Sequence, residues 1–205
     1  SLASPGVAQQ RVHGTPICSY AVCHAGKVRA HAAYDVVHTA GLASTFHCRA
    51  RRDARVRDWV TRFVAHLGFS GQIAFDFILD ADGVLLPLEC NPRATSGLHL
   101  FRSQPGFARA FVDPQGPMLE PTDDRSMLAV PMLVYGLPRA FREGTLRAFA
   151  GTFAESRDVV FRRDDPWPAL AQGLSLLELG ALAFRSGRDL LGASTLDIEF
   201  NGEHA

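Results

Sequence analysis

Apolar positions along the chain follow two different periods. Between residues 53 and 67, Val56, Trp59, Val60, Phe63, Val64 and Leu67 recur at intervals of three and four, the spacing of one face of an α-helix. Asp53 stands where an N-cap accepts from free backbone amides, and Gly68 where a left-handed residue closes the last turn. A helix is therefore predicted over Asp53–Leu67. Arg55, Arg57 and Arg62 lie off the stripe, on a face of the kind that is usually just solvated.

Elsewhere in the first half the period is that of strands. Ile17–His24 and Lys27–Val37 alternate loosely about a turn at Ala25-Gly26, and residues 39–45 read as a loop. From Gln72 to Asn91 two apolar runs flank Asp82-Gly83, a pair suited to a two-residue hairpin turn. Such a turn sets Asp76 opposite Glu89. It also sets Phe75 against Cys90, and Phe77 against Leu88, on the core face. Pro87 has no N–H for a ladder, so its strand is expected to be exposed along one edge.

The second half is less regular. Residues 104–121, rich in Pro and Gly, read as a linker, followed by Met127–Leu137 and a helix near Arg139–Phe149. A short apolar run, Val159–Phe161, comes before a long helix over Pro168–Arg185, with Leu170, Leu174, Leu177 and Ala181 on one face. Thr195–Phe200 alternates as a final strand, with Asp197 and Glu199 on its polar side. The expected fold is α+β: a largely antiparallel sheet with packed helices over residues 15–103, then a mostly helical C-terminal region over 104–205.

Composition narrows the partners. The 205 residues are 47% hydrophobic and 20% charged, as in a globular protein, and 21 basic residues balance 21 acidic ones. A chain that holds nucleic acid or an anionic membrane by charge shows a basic excess, so neither partner is expected. No apolar run approaches the ~18 residues of a membrane span. Residues 1–6 resemble no signal or transit peptide, and the four cysteines fit no zinc framework, so a reduced, cytoplasmic protein is expected. Cys18 and Cys90 read as small buried side chains. Of the 21 cations 20 are Arg, which leaves Lys27 as the single candidate for ammonium chemistry.

The hairpin carries the chemistry. Two opposed carboxylates on one sheet face repel, and three arrangements make them tolerable: a shared proton, a compensating Arg, or a divalent cation. Asn91 adds a hard carbonyl oxygen beside Glu89, and Arg93 a bidentate anion clamp at the same end. Oxygen ligands without His or Cys suit Mg²⁺ or Mn²⁺. A charged solvent face on an ordinary hairpin remains the plainer reading.

Strand, Asp-Gly turn, strand, then Glu89-Cys90-Asn91-Pro92-Arg93, with Asp76 upstream, resembles the metal-binding hairpin of the ATP-grasp family. That family includes D-alanine–D-alanine ligase, biotin carboxylase and carbamoyl phosphate synthetase. Residues 17–31 are similar to the strand pair entering that lobe, and residues 94–101 to the tail after the motif in the carbamoyl-phosphate-synthetase-like branch. The resemblance implies the C-terminal lobe of the fold, with Asp76, Glu89 and Asn91 holding Mg²⁺ (or Mn²⁺) between the phosphates of ATP. It implies that Arg93 steadies the transferring phosphate, and that His31, His38, His47 and Ser96 lie at the nucleotide. The implied reaction activates a small carboxylate as an acyl phosphate for attack by an amine or a thiol.

The family's other lobe supplies a Gly-rich loop and a lysine pair. Nothing before Thr15 matches it, and one lysine cannot make a pair. The chain is therefore expected to be the back half of such a ligase, inactive alone and completed by the N-terminal half of the same protein or a partner chain. The alternative is a non-catalytic remnant that keeps the fold as an assembly module.

Overall fold

A computed structural model describes residues 10–40, 44–194 and 196. Residues 1–6 and all of the predicted strand Thr195–Phe200 except Leu196, with Asp197 and Glu199, lie outside them. The chain divides into two compact units, one of residues up to Val36 with Cys48–Asp124, the other of Val37–His47 with Arg125 onward.

The first unit is built on strands β1 (Gly14–His24), β2 (Lys27–Ala40), β3 (Ser44–Arg51), β4 (Gly71–Asp80) and β5 (Leu85–Asn91), in the order β5-β4-β1-β2-β3. The pairs β1/β2, β1/β4 and β4/β5 are antiparallel. Ala25 and Gly26 both have positive φ, 44° and 79°, as a tight hairpin turn with the twist of its strands requires. The predicted loop over 39–45 is mostly strand, because β2 runs on to Ala40 and β3 begins at Ser44.

Helix α1 (Ala54–Leu67) forms where the periodicity placed it. Asp53 caps it by accepting from the Arg55 amide, and Gly68 ends it at φ 59°. Val56, Val60 and Val64 are fully buried, and the Trp59 ring meets Phe75 and Phe77 edge-on at centroid distances of 5.0 and 5.1 Å. Each such side chain removed from water contributes about 1.5–3 kcal/mol. Leu67, the last residue of the predicted stripe, is instead exposed, because the helix ends there.

The opposite sheet face carries a second core of Tyr20, Ala32, Tyr34, Cys48, Leu100 and Phe101. The 3₁₀ turns Ser96–Phe101 and Phe107–Phe111 cover it. The expected linker over 104–121 is thus packed structure. Leu119 exchanges backbone hydrogen bonds with β2, giving its N–H to Arg29 O at 2.8 Å and accepting from His31 N at 2.9 Å. The buried Arg29 guanidinium donates to the carbonyls of Pro114 and Gly116.

In the second unit, β6 (Arg125–Met127) and β7 (Arg157–Asp158) pair in parallel. Helical residues run from α2 (Ala129–Pro131) through a π turn at Met132–Gly136 into α3 (Leu137–Arg142). The helix predicted over 139–149 is broken at Gly144 (φ 68°), and α4 (Leu146–Glu155) follows. Phe46, Met127, Met132, Ala140 and Phe149 form the core there. Helix α5 (Trp167–Ser186) matches the long predicted helix, and α6 (Leu190–Ser194) comes after it. The predicted apolar face of α5 is exposed rather than packed. By length and composition alone α5 is apolar enough to cross a membrane, although Gln172 and Glu178 interrupt its apolar run.

Candidate functional site

The β4–β5 hairpin sets Asp76 directly opposite Glu89 and Ala74 opposite Asn91. Directly paired residues share a sheet face, with Cβ atoms about 4.5–5.5 Å apart. Asp76 also pairs with Cys18 of β1, and Cys18 with Tyr34 of β2. Glu89, Asp76, Cys18 and Tyr34 thus form one row across four strands, with Asn91 two residues along on the same face.

The register arises differently from the way the sequence suggests. The loop has three residues, not two: Asp80 N donates to Val84 O at 3.1 Å, and Gly83 takes φ 79°. The Asp80 carboxylate holds the loop by accepting from Asp82 N at 3.0 Å and Val84 N at 2.8 Å. That extra residue moves every pair by one, so Phe77 meets Pro87, not Leu88. A β-bulge beyond Phe77 then leaves Leu88 unpaired and restores the expected pairing at Asp76 and Glu89. Leu88 is 44% exposed instead of lying in the core. Bulges at a sheet edge bend the strand and re-aim side chains, and β5 is the edge strand, which is how Pro87 is accommodated.

Asp76 is half-buried, Glu89 exposed and Asn91 half-buried. Among the described residues neither carboxylate has an ion-pair partner. Cys18, half-buried, has its thiol pushed well up, first by burial and then by the adjoining Asp76, so it faces the carboxylate as a neutral group. Tyr34 is likewise held protonated, mainly by burial, and its hydroxyl lies 3.3 Å from Thr95 Oγ1. Cys90 is exposed on the edge strand, contrary to the buried position expected for it.

The segment after Pro92 is pressed onto this face. A Cβ on Gly97 would lie 2.6 Å from both Tyr20 Cβ and Tyr34 Cε1, so only glycine lets the 3₁₀ turn approach so closely. Its Leu100 and Phe101 are buried beneath. Arg93, at the start of the segment, is exposed, and its Nη1 donates to Ala94 O at 3.2 Å. Ser96 opens the turn, its carbonyl 3.9 Å from Cys48 Sγ.

The three histidines differ in their surroundings. His31 pairs with Ala21 and so points to the α1 face, opposite the Asp76 row. It is buried, its Nε2 has no partner among the described residues, and burial, then Arg57, lower its pKa to about 4. It lines a polar cavity of about 290 Å³ with Arg51, Arg52, Arg57, Glu120 and Asp124. His38 and His47 belong to the second unit, ring centroids 5.4 Å apart. Burial lowers the pKa of His38. His47 Nε2 lies 2.9 Å from Ser156 Oγ, whose proton goes to Thr152 O at 2.7 Å, so the ring donates.

Sequence reasoning did not single out Cys18, Tyr34, Thr95 or Gly97 as walls of the site. The alternation of β1 and β2 carries the parity that places the first two, but not their pairing to Asp76. Among the described residues no three His, Cys, Asp or Glu side chains cluster as metal ligands. The Asp76–Glu89 pair has only an amide, Asn91, as its third oxygen donor.

No protein-family model matches the chain, and no curated protein matches it. Among solved structures, the ADP complex of PurK, N5-carboxyaminoimidazole ribonucleotide synthetase, is 15% identical over 65% of this chain and 38% of that one, at a TM-score of 0.44. The phosphoribosylaminoimidazole carboxylase ATPase subunit from Aquifex aeolicus is 20% identical over 42% and 28%, at 0.36. An L-amino acid ligase from Bacillus licheniformis is 16% identical over 43% and 23%, at 0.34. The chain spans between about a quarter and two-fifths of the length of these structures. At these scores the likenesses carry no argument about what the chain does.

Proposed function

We propose that this chain carries the Mg²⁺- and phosphate-binding half of an ATP-grasp ligase, joining a small carboxylate to an amine or a thiol through an acyl phosphate. The observation that carries the reading is the shared face of Asp76, Glu89 and Asn91, with Arg93 two residues further on. The donor set is all oxygen, partly shielded from water and uncompensated by any described cation, which fits a hard divalent ion. Asp76, Glu89 and Asn91 would hold such an ion, and it would supply neutralisation of phosphate charge.

The chain's own groups then take distinct roles. Asp76 and Glu89 attract the cation, and Asn91 adds a neutral oxygen. Cys18, kept protonated, adds no competing charge. The Arg93 guanidinium gives one N–H to Ala94 O and keeps the others for a phosphate or carboxylate. Ser96 begins the segment on the same face. His31 lies on the α1 face of the sheet, opposite the Asp76 row. Lys27 is exposed at the β1–β2 turn, six residues along β1 from the Cys18 row, roughly 20 Å at strand rise. The lysines that meet ATP therefore come from the N-terminal half of the protein or from a partner chain, in the cytoplasm where ATP is made available.

Electron paramagnetic resonance titration of Mn²⁺, with and without ADP, tests this. Asp76→Asn and Glu89→Gln should each weaken nucleotide-dependent Mn²⁺ binding at least tenfold. Unchanged affinity in both variants sinks the metal assignment. ATP hydrolysis by the purified chain, abolished by Glu89→Ala, would show that no second half is needed.

A further inference from the structure

We propose that α5 is a dimerisation helix that pairs antiparallel with α5 of a second copy of this chain. Its outward side chains are exposed to an extent unusual for large apolar groups: Trp167 74%, Leu170 64%, Leu174 66%, Leu177 72% and Phe184 90%. Scattered exposed leucines need no explanation, but a continuous apolar stripe on one helix marks an interaction surface. The opposite side of the helix is already used, since Leu176, Leu179 and the buried Ala183 face their own unit. Among the described residues the outward stripe is therefore a second, unpartnered face.

The spacing selects the occupant. Trp167, Leu170, Leu174, Leu177, Ala181 and Phe184 are separated by three, four, three, four and three residues, the alternation of a coiled-coil seam. That series reads the same in both directions about a point between Leu174 and Leu177. An antiparallel copy therefore meets it in register, with Trp167 against Phe184 of the second copy, Leu170 against Ala181, and Leu174 against Leu177. Large meets small at Leu170–Ala181, and two-fold symmetry makes one patch complementary to itself.

The helix dipoles select the direction. The segment before the helix balances Arg162 and Arg163 against Asp164 and Asp165, and only Arg185 carries charge in the last turn. Antiparallel pairing sets the positive N-terminal end of one helix dipole beside the negative C-terminal end of the other. Parallel pairing in register would set like beside like. Glu178, exposed, borders the seam without interrupting it, and its place halfway along the helix disfavours a membrane as the occupant. The stripe offers on the order of 600 Å² of apolar surface per chain, near the roughly 800 Å² per partner of a standard interface.

The test is the mass of the chain in solution, read by light scattering across concentration, together with cross-linking. The 22.3 kDa chain should double in mass at tens of micromolar. Leu174→Glu with Leu177→Glu should return it to monomer while leaving its circular dichroism unchanged, because both side chains are exposed. In a Cys90→Ser background, Trp167→Cys with Phe184→Cys should give a disulfide-linked dimer, and neither substitution alone should. A monomer at 100 µM, a dimer indifferent to the seam variants, or cross-linking by each single cysteine overturns the proposal. So does partition of a monomer into phosphatidylcholine vesicles, which would assign the stripe to lipid.

Discussion

Neutralising either carboxylate of the hairpin should stabilise the metal-free chain, although such a change removes a charged group from the candidate site. Asp76 and Glu89 are paired directly across β4 and β5, and no described cation compensates them. Two unit charges about 5 Å apart repel by about 0.8 kcal/mol at the dielectric of water and about 3 kcal/mol at an effective value of 20. Glu89 is exposed and Asp76 half-buried, so solvent screening favours the lower end, about 1 kcal/mol. Glu89→Gln and Asp76→Asn should each raise the unfolding free energy by that amount in EDTA at low salt. The double variant should gain no more than either single one, because the same repulsion is removed once. At 1 M salt the Debye length falls to about 3 Å and the gain should shrink. With millimolar Mg²⁺ and ADP the order should reverse, since only the unaltered chain gains from binding linkage. Urea unfolding followed by circular dichroism reads all of these. Loss of stability in EDTA on either substitution would refute the reasoning, because it would mean the carboxylates are held by structural hydrogen bonds.

Gly97→Ala should cost about 1–3 kcal/mol by overpacking against Tyr20 and Tyr34, visible as a lower urea midpoint; a change under 0.5 kcal/mol would show that the 3₁₀ turn is not pressed onto the sheet. His31 should make the fold acid-sensitive. Its folded pKa of about 4 lies below the ordinary 6.5, so between those values the unfolded chain binds more protons and stability falls as pH falls. The loss reaches at most about 3 kcal/mol by pH 4. His31→Gln should flatten the stability curve between pH 6.5 and 4 relative to the unaltered chain, and parallel curves would contradict the burial of a neutral ring.

Local periodicity was enough for α1 and the two hairpin pairings, β1/β2 and β4/β5, because Val56, Val60 and Val64 repeat at helical spacing and the Ala25-Gly26 and Asp82-Gly83 turns join strands that are neighbours in sequence. It was also enough to set Asp76 against Glu89, though by compensation. A three-residue loop and a bulge at Leu88 each shift the ladder by one, and the two shifts cancel before the carboxylates are reached. Neither shift is written in the alternation of apolar residues, since both depend on how the Asp80 carboxylate caps the loop and how an edge strand bends. The histidines show the limit from the other side. His31, His38 and His47 stand close in sequence to the elements of the site, but a one-residue change of parity turns His31 to the α1 face, and the ends of β2 and β3 carry His38 and His47 into the second unit.

The sequence alone determined α1, the two hairpins, the opposed carboxylates and the Asn91–Arg93 run beside them, because these depend on spacing within one helix or one hairpin. Only the tertiary structure decided what walls that site: Cys18 and Tyr34 reach Asp76 through strand pairing across dozens of residues, and Gly97 matters only because two tyrosines fill the space its side chain would take. The outward stripe of α5 divides in the same way. Its heptad spacing is legible along the chain, but whether such a stripe faces a core or solvent is settled by which side of the helix its own unit covers.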